Sequence, residues 1–110
     1  MNSTTLSALA EPNRLRIVEL LRDRPYSVGE IAERLWLRQP QVSKHLRVLS
    51  EAGLVEVHPA AQQRIYQLQA GPFKELDSWL EPFRQMWEAR LDTLDEYLQE
   101  LKDEQKQAKR

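Results

Sequence analysis

Six residues within one short stretch carry most of the usable chemistry: Gln39, Gln41, Ser43, Lys44, His45 and Arg47, with Arg38 just ahead of them. The amides of Gln39 and Gln41 suit bidentate hydrogen bonding to adenine, and Arg38, Lys44 and Arg47 suit guanine or phosphate. Ser43 is small enough to allow close approach. Farther on, Gln62, Gln63 and Arg64 form a second polar, cationic group of the kind that contacts a nucleic-acid backbone. Reaction chemistry is poorly supplied. Neither Ser43 with His45 nor Glu56 with His58 brings a nucleophile, a base and an orienting group together. Gly29, Gly53 and Gly71 are too scattered for a phosphate loop. The chain has no cysteine, so thiolate metal sites, disulfides and cysteine nucleophiles are excluded. His45 and His58 are too few for a histidine metal site. No enzyme activity, cofactor or metal is expected.

These residues must be positioned by local elements, and the sequence signals several. Pro12 suits the first turn of a helix, with Asn13 as an alternative cap. Leu15, Ile17, Val18, Leu20 and Leu21 then recur at helical spacing, and Pro25 ends that helix near Arg24. Ser27-Val28-Gly29-Glu30 is a capping box opening a short second helix with Val28, Ile31, Ala32 and Leu35 apolar. A third helix starts at Gln39 or Pro40 and runs to Ala52, where Gly53 is a stop signal. In it Val42, Leu46 and Leu49 share one side, leaving the polar residues on the others. The period then changes to two. Residues 54–58 and 64–68 read as strands across a loop at 59–63, a hairpin that must pack on the helices to persist. After Gly71-Pro72 a long helix is expected, with Phe73, Leu76, Leu80, Phe83, Trp87, Leu91, Leu94, Leu98 and Leu101 stepping by threes and fours. Pro82 should kink or restart it. Two short helices on a tight connector, followed by a hairpin, describe a winged helix-turn-helix, in which the second helix enters the major groove.

Length and charge agree with this. A chain of 110 residues makes one domain with one core. The formal net charge is -1, but nine of the sixteen basic residues and only seven of the seventeen acids lie in residues 1–70. A local basic patch can therefore coexist with overall neutrality. The stretch 88–104 is acidic. No run approaches the ~18 apolar residues of a membrane span, and the N-terminal residues do not read as a secretion signal. A cytoplasmic setting is expected.

Residues 11–21 (EPNRLRIVELL), 27–35 (SVGEIAERL) and 39–55 (QPQVSKHLRVLSEAGLV) resemble the ArsR-type winged-helix repressors, with the match continuing to Tyr66. That resemblance implies a homodimer that binds operator DNA as a repressor and releases it on a chemical signal. Metal-sensing branches of the family place cysteines before the recognition helix, where this chain has Val28-Gly29-Glu30-Ile31. Others use histidines on the last helix, and none follows His58. The tail around Trp79 to Asp92 resembles a metal-independent branch. Trp36 stands where the family often has glycine, and Arg38 where it often has serine.

The fold expected is mainly α with a small β-hairpin, a single domain over 1–110. Within it, 12–70 form the winged helix-turn-helix, 1–10 and 72–104 the dimerisation helices, and 105–110 a frayed tail. DNA contact is assigned to Arg38, Gln39, Gln41, Ser43, Lys44, His45, Arg47, Gln62, Gln63 and Arg64. His45 has a second reading, packing against the preceding helix or touching a phosphate. The dimer interface is assigned to Leu6, Leu9, Phe73, Leu76, Leu80, Phe83, Trp87, Leu91, Leu94 and Leu98. The expected partners are palindromic double-stranded DNA and a second copy of the chain. An apolar effector held by Trp79, Phe83, Met86 and Trp87 is an alternative use of the aromatics. A protein-interaction module built on the acidic helix is an alternative function.

Overall fold

The computed structural model describes residues 1–108. Helix α1 spans Ser3–Leu9 and α2 spans Pro12–Leu21. A short strand β1 (Tyr26–Ser27) leads into α3 (Val28–Leu35), a connector and α4 (Gln39–Glu51). Strands β2 (Val55–Ala60) and β3 (Gln63–Leu68) follow, then α5 (Ala70–Ala108). Internal packing separates two compact units, Met1–Leu76 and the stretch from Asp77 onward.

The core of the first unit is one apolar cluster. Ile17, Ile31, Val42, Leu46, Leu49, Leu54 and Val55 are all essentially inaccessible to solvent. They come from α2, α3, α4 and the chain entering β2, so burying them fixes the three helices against the sheet. Tyr26 is buried as well, with the Arg24 guanidinium 4.0 Å from its ring centre and that of Arg34 at 4.8 Å. Arg14 ties α1 to α2, its Nε donating to the Ala8 carbonyl at 2.7 Å. Arg16 reaches the far end of α3, donating to the Leu35 carbonyl at 2.8 Å.

Each helix boundary has a chemical cause. Glu11, rather than Asn13, caps α2, its carboxylate accepting from the Arg14 amide at 2.8 Å. The Ser27 capping box is present in both directions. The Ser27 hydroxyl accepts from the Glu30 amide at 3.2 Å, and Glu30 accepts from the Ser27 amide at 3.0 Å. Helix α3 ends on Trp36, which takes the left-handed conformation at φ 58° and ψ 42°. The Trp36 and Leu37 amides both donate to the Ala32 carbonyl, closing the helix end. A non-glycine residue in that conformation costs roughly 1–2 kcal/mol. Helix α4 stops one residue before Ala52, and Gly53 follows at φ 74°, the backbone role for which glycine is suited.

The sheet departs from expectation in three ways. It has three strands, in the order β1-β3-β2, because Tyr26 and Ser27 pair with Tyr66 and Ile65. Two residues beside Pro25 were too few to read as a strand. The hairpin strands are also longer, and the connection is only Ala61-Gln62 instead of 59–63. Pro59 pairs within β2, which is tolerated because β2 is an edge strand whose proline needs no ladder donor. Ala61 supplies the positive φ, at 56°, that the tight turn requires.

Helix α5 begins at Ala70, so Gly71 and Pro72 lie in its first turn, where proline loses no helix hydrogen bond. Pro82 sits inside α5 without ending it. Residues 105–108, expected in a frayed tail, are helical, and 109–110 lie outside the described residues.

Ser27→Ala removes one half of the capping box and should destabilise the chain by about 1 kcal/mol in chemical denaturation. The Glu30 carboxyl is held below its usual range by the Ser27 amide and then by Arg24. A lowered folded-state value means that this contribution is present above the usual carboxylate range and is lost as pH falls through the folded value. Glu30→Gln should therefore lower the melting temperature at neutral pH, and the gap to wild type should close in acid. A gap that stays constant with pH would show that the carboxylate charge contributes nothing.

Candidate nucleic-acid interface

Helix α4 divides sharply. Val42, Leu46 and Leu49 are buried, and spacing of i, i+4 and i+7 turns the remaining positions outward. Arg38, Gln39, Gln41, Ser43, Lys44 and Arg47 are all exposed. The cationic ends of Arg38 and Lys44 have no ion pair among the described residues. Arg47 is partnered by Glu51 one turn on, at 3.3 Å, but that pair is well exposed and readily exchanged for another anion.

Two of the expected readers are placed differently from the rest. His45 is half-buried, with Nδ1 3.7 Å from the Glu11 carboxylate that caps α2. Its place is beside the start of α2, not against the preceding helix α3, and it stands apart from the exposed face. Gln41 is exposed, but its Oε1 accepts from the Arg38 amide at 3.2 Å and so helps to start α4. Arginine has no acceptor for the first-turn amides, so α4 keeps only the reciprocal half of a capping box, from Gln41 to the Arg38 amide. The Gln41 Nε2 stays available as a donor, whereas bidentate contact with adenine would require exchanging the cap bond. Gln39 carries no such commitment.

The wing brings the second group to the first. Gln39 and Ser43 from α4 line one cleft of about 490 Å³ with Gln62, Gln63 and Arg64 from the hairpin, the start of α3 forming its floor. A Cβ at Gly29 would meet the Gln39 Nε2 at 3.5 Å, an ordinary contact, so the closeness of α3 and α4 there does not require glycine. Besides the capping Ser27, the cleft thus presents three amides, one hydroxyl and one guanidinium, the last without an ion pair among the described residues. This is the donor and acceptor inventory that base edges and phosphates use.

Sequence reasoning missed a polar network between the two strands of the wing. Glu56 accepts from Gln67 and lies 3.1 Å from His58 Nε2, with Gln69 also donating to it. Hydrogen bonding by Gln67 first, then His58, holds the Glu56 carboxyl below its usual range. The alternation of β2 and β3 was legible, but not the register that sets Glu56 opposite Gln67.

The expected interface residues behave unequally. Leu9 and Phe73 are partly buried against the first unit's own core, so part of their apolar surface is already used. Leu6 is exposed. In the second unit Phe83, Trp87, Leu91, Leu94 and Leu98 are each more than 40 % exposed, and no residue of α5 is buried. Trp79 and Phe83 pack with ring centres 4.9 Å apart and planes tilted by 51°, and Arg84 pairs with Asp77 and Glu81. Among the described residues no cluster of three or more histidine, aspartate or glutamate side chains could hold a metal, and no helix is long and apolar enough to cross a membrane.

Known proteins match this geometry. A family profile described as a helix-turn-helix domain covers residues 9–58. An HTH-type transcriptional regulator of Mycobacterium tuberculosis is 49% identical over 61 residues, 56% of this chain and 57% of that protein. The chain spans just over half the length of the curated relatives it matches. Among solved structures, reduced HlyU from Vibrio cholerae is 36% identical with a TM-score of 0.63, covering 74% of this chain and 85% of that one. An ArsR-like transcriptional regulator from Rhodococcus is 25% identical with a TM-score of 0.68, covering 84% and 87%. With the order of elements, the capped helix-turn-helix and the wing all in agreement, the chain belongs to the ArsR-type family of winged helix-turn-helix transcriptional regulators.

Proposed function

We propose that this chain is a sequence-specific DNA-binding repressor acting as a homodimer on a palindromic operator. The observation that carries the reading is the cleft in which the exposed face of α4 meets the tip of the wing. Gln39 and Ser43, with Gln41 once its cap bond is exchanged, are the base readers. Arg38, Lys44, Arg47 and Arg64 hold phosphates. Repression follows from covering promoter DNA, and relatives named as repressors support that direction.

The exposed apolar residues of α5 support self-association. A contiguous apolar stripe of this kind on a small protein marks an interaction surface. A two-fold axis would set the recognition helices about 34–36 Å apart, in successive major grooves. That spacing is what makes the operator palindromic.

Fluorescence anisotropy with the chain's own upstream DNA and scrambled DNA, at two salt concentrations, tests the reading. Specific binding at least ~10³ tighter than to scrambled DNA is expected, with salt weakening both. Equal affinity for the two would overturn sequence-specific binding.

Gln39→Ala should cost about 1–3 kcal/mol at one operator position and little elsewhere. Arg64→Ala should weaken binding to every sequence and reduce the salt slope by about one unit. An unchanged slope would remove Arg64 from the phosphate contacts. Leu94→Glu places a charge in the apolar stripe. It should halve the mass seen in sedimentation and weaken operator binding by at least about tenfold, with the circular dichroism signal retained. A wild-type chain that sediments as a monomer would refute the dimer.

A further inference from the structure

Among the described residues Trp36 is the one large apolar side chain that the fold leaves almost wholly in solvent, at 93% exposure. It also holds the left-handed conformation that ends α3, a position suited to glycine. The backbone role needs no side chain there, since it is the Trp36 and Leu37 amides that close on the Ala32 carbonyl. The indole therefore brings both strain and exposed apolar area to the fold, with no aromatic or hydrogen-bonding partner among the described residues in return. Its place is the helix-turn-helix connector, directly before the residues that open α4. It lines one open pocket with Arg38 and Gln41, so it is continuous with the face assigned above to DNA. Two acids also line that pocket. Glu30 is paired with Arg24 at 3.2 Å, and Glu33 stands farther back on α3. Two cations line it too: Arg34 lies over the Tyr26 ring, and Arg38, two residues from Trp36, has no ion pair among the described residues.

We infer that Trp36 is a DNA-backbone contact. Its ring packs on a deoxyribose at the edge of the major groove, and its Nε1–H donates to a neighbouring phosphate oxygen. An indole suits that position because it is apolar along its body and a donor at one end. Sugar and phosphate contacts fix register and orientation without reading sequence. Trp36 therefore sets how α4 enters the groove and leaves base choice to Gln39 and its neighbours. The inference rests on the DNA-binding reading above and adds a residue to it.

The test compares wild type, Trp36→Gly and Trp36→Phe by anisotropy on upstream and scrambled DNA at two salt concentrations, with melting temperatures measured alongside. Trp36→Gly should weaken binding to both DNAs by a similar factor of about tenfold, the worth of one good hydrogen bond. The salt slope should stay unchanged, because an uncharged indole displaces no counterion. The melting temperature should hold or rise, because glycine accepts the left-handed φ without strain. Trp36→Phe, keeping a ring but losing the donor, should fall between. Unchanged binding by Trp36→Gly overturns the inference and leaves the DNA-binding reading intact. Loss on upstream DNA alone would make Trp36 a base reader, and loss with a lowered melting temperature would make it structural; either result overturns the backbone contact. A wild-type chain that binds neither DNA overturns both readings.

Discussion

The complete burial of Val42, Leu46 and Leu49 is the constraint on which the first unit depends. Three residues on one stripe of α4 meet Ile17, Ile31 and Leu54 with no solvent between. Each such side chain contributes roughly 1.5–3 kcal/mol when fully buried. Helical periodicity then leaves no choice about the opposite face. With the stripe fixed inward, Gln39, Ser43 and Lys44 must face out. The same packing also fixes the depth and azimuth of α4 beside the wing. A recognition surface assembled from two distant stretches of sequence is thereby held by core packing, not by contacts among its own polar residues.

Those polar residues are accordingly left under-committed. The cationic ends of Arg38, Lys44 and Arg64 lack ion pairs among the described residues, and the Arg47–Glu51 pair is exposed. The arginines that the fold does use lie elsewhere. Arg14 binds the end of α1, Arg16 binds the end of α3, and Arg24 and Arg34 flank Tyr26. Sequence position alone did not distinguish these two groups of cations. The distinction matters for electrostatics, because a cation already donating to a backbone carbonyl has less to offer a phosphate.

Much of this was legible because it rests on short-range rules. The capping box at Ser27, the buried stripe of α4, the glycine stop at Gly53 and the alternation of the two hairpin strands each depend on a few neighbouring residues. What was not legible depends on partners distant in sequence or on tolerance. Strand β1 exists only because β3 lies beside Tyr26. Pro59 reads as a strand breaker until the edge position of β2 is known. Ala61 in a left-handed turn and Trp36 in a left-handed cap both defy residue preference, and only the surrounding structure holds them there. His45 and Gln41 carry the side chains of base readers, yet one packs beside Glu11 and the other serves a helix start. Composition could not reveal either prior commitment.

The sheet is uneven along its length, and this has an energetic side. Strand β1 covers only Ile65 and Tyr66 of β3, so the outer rungs, Pro59 with Arg64 and Ala60 with Gln63, belong to a bare two-stranded ribbon. Such a ribbon is marginal in water by itself. Its local opening free energy should be far below that of the whole unit, and its amides should be among the first to exchange with solvent. The wing residues proposed to contact DNA thus sit on the least cooperative part of the sheet. Docking them gives up conformational freedom that the buried helices surrendered on folding. Pro59 limits that loss, because a ring that already fixes φ leaves less freedom to remove. The wing is in this sense a partly pre-stiffened arm, with less freedom left to lose on the contact proposed for it.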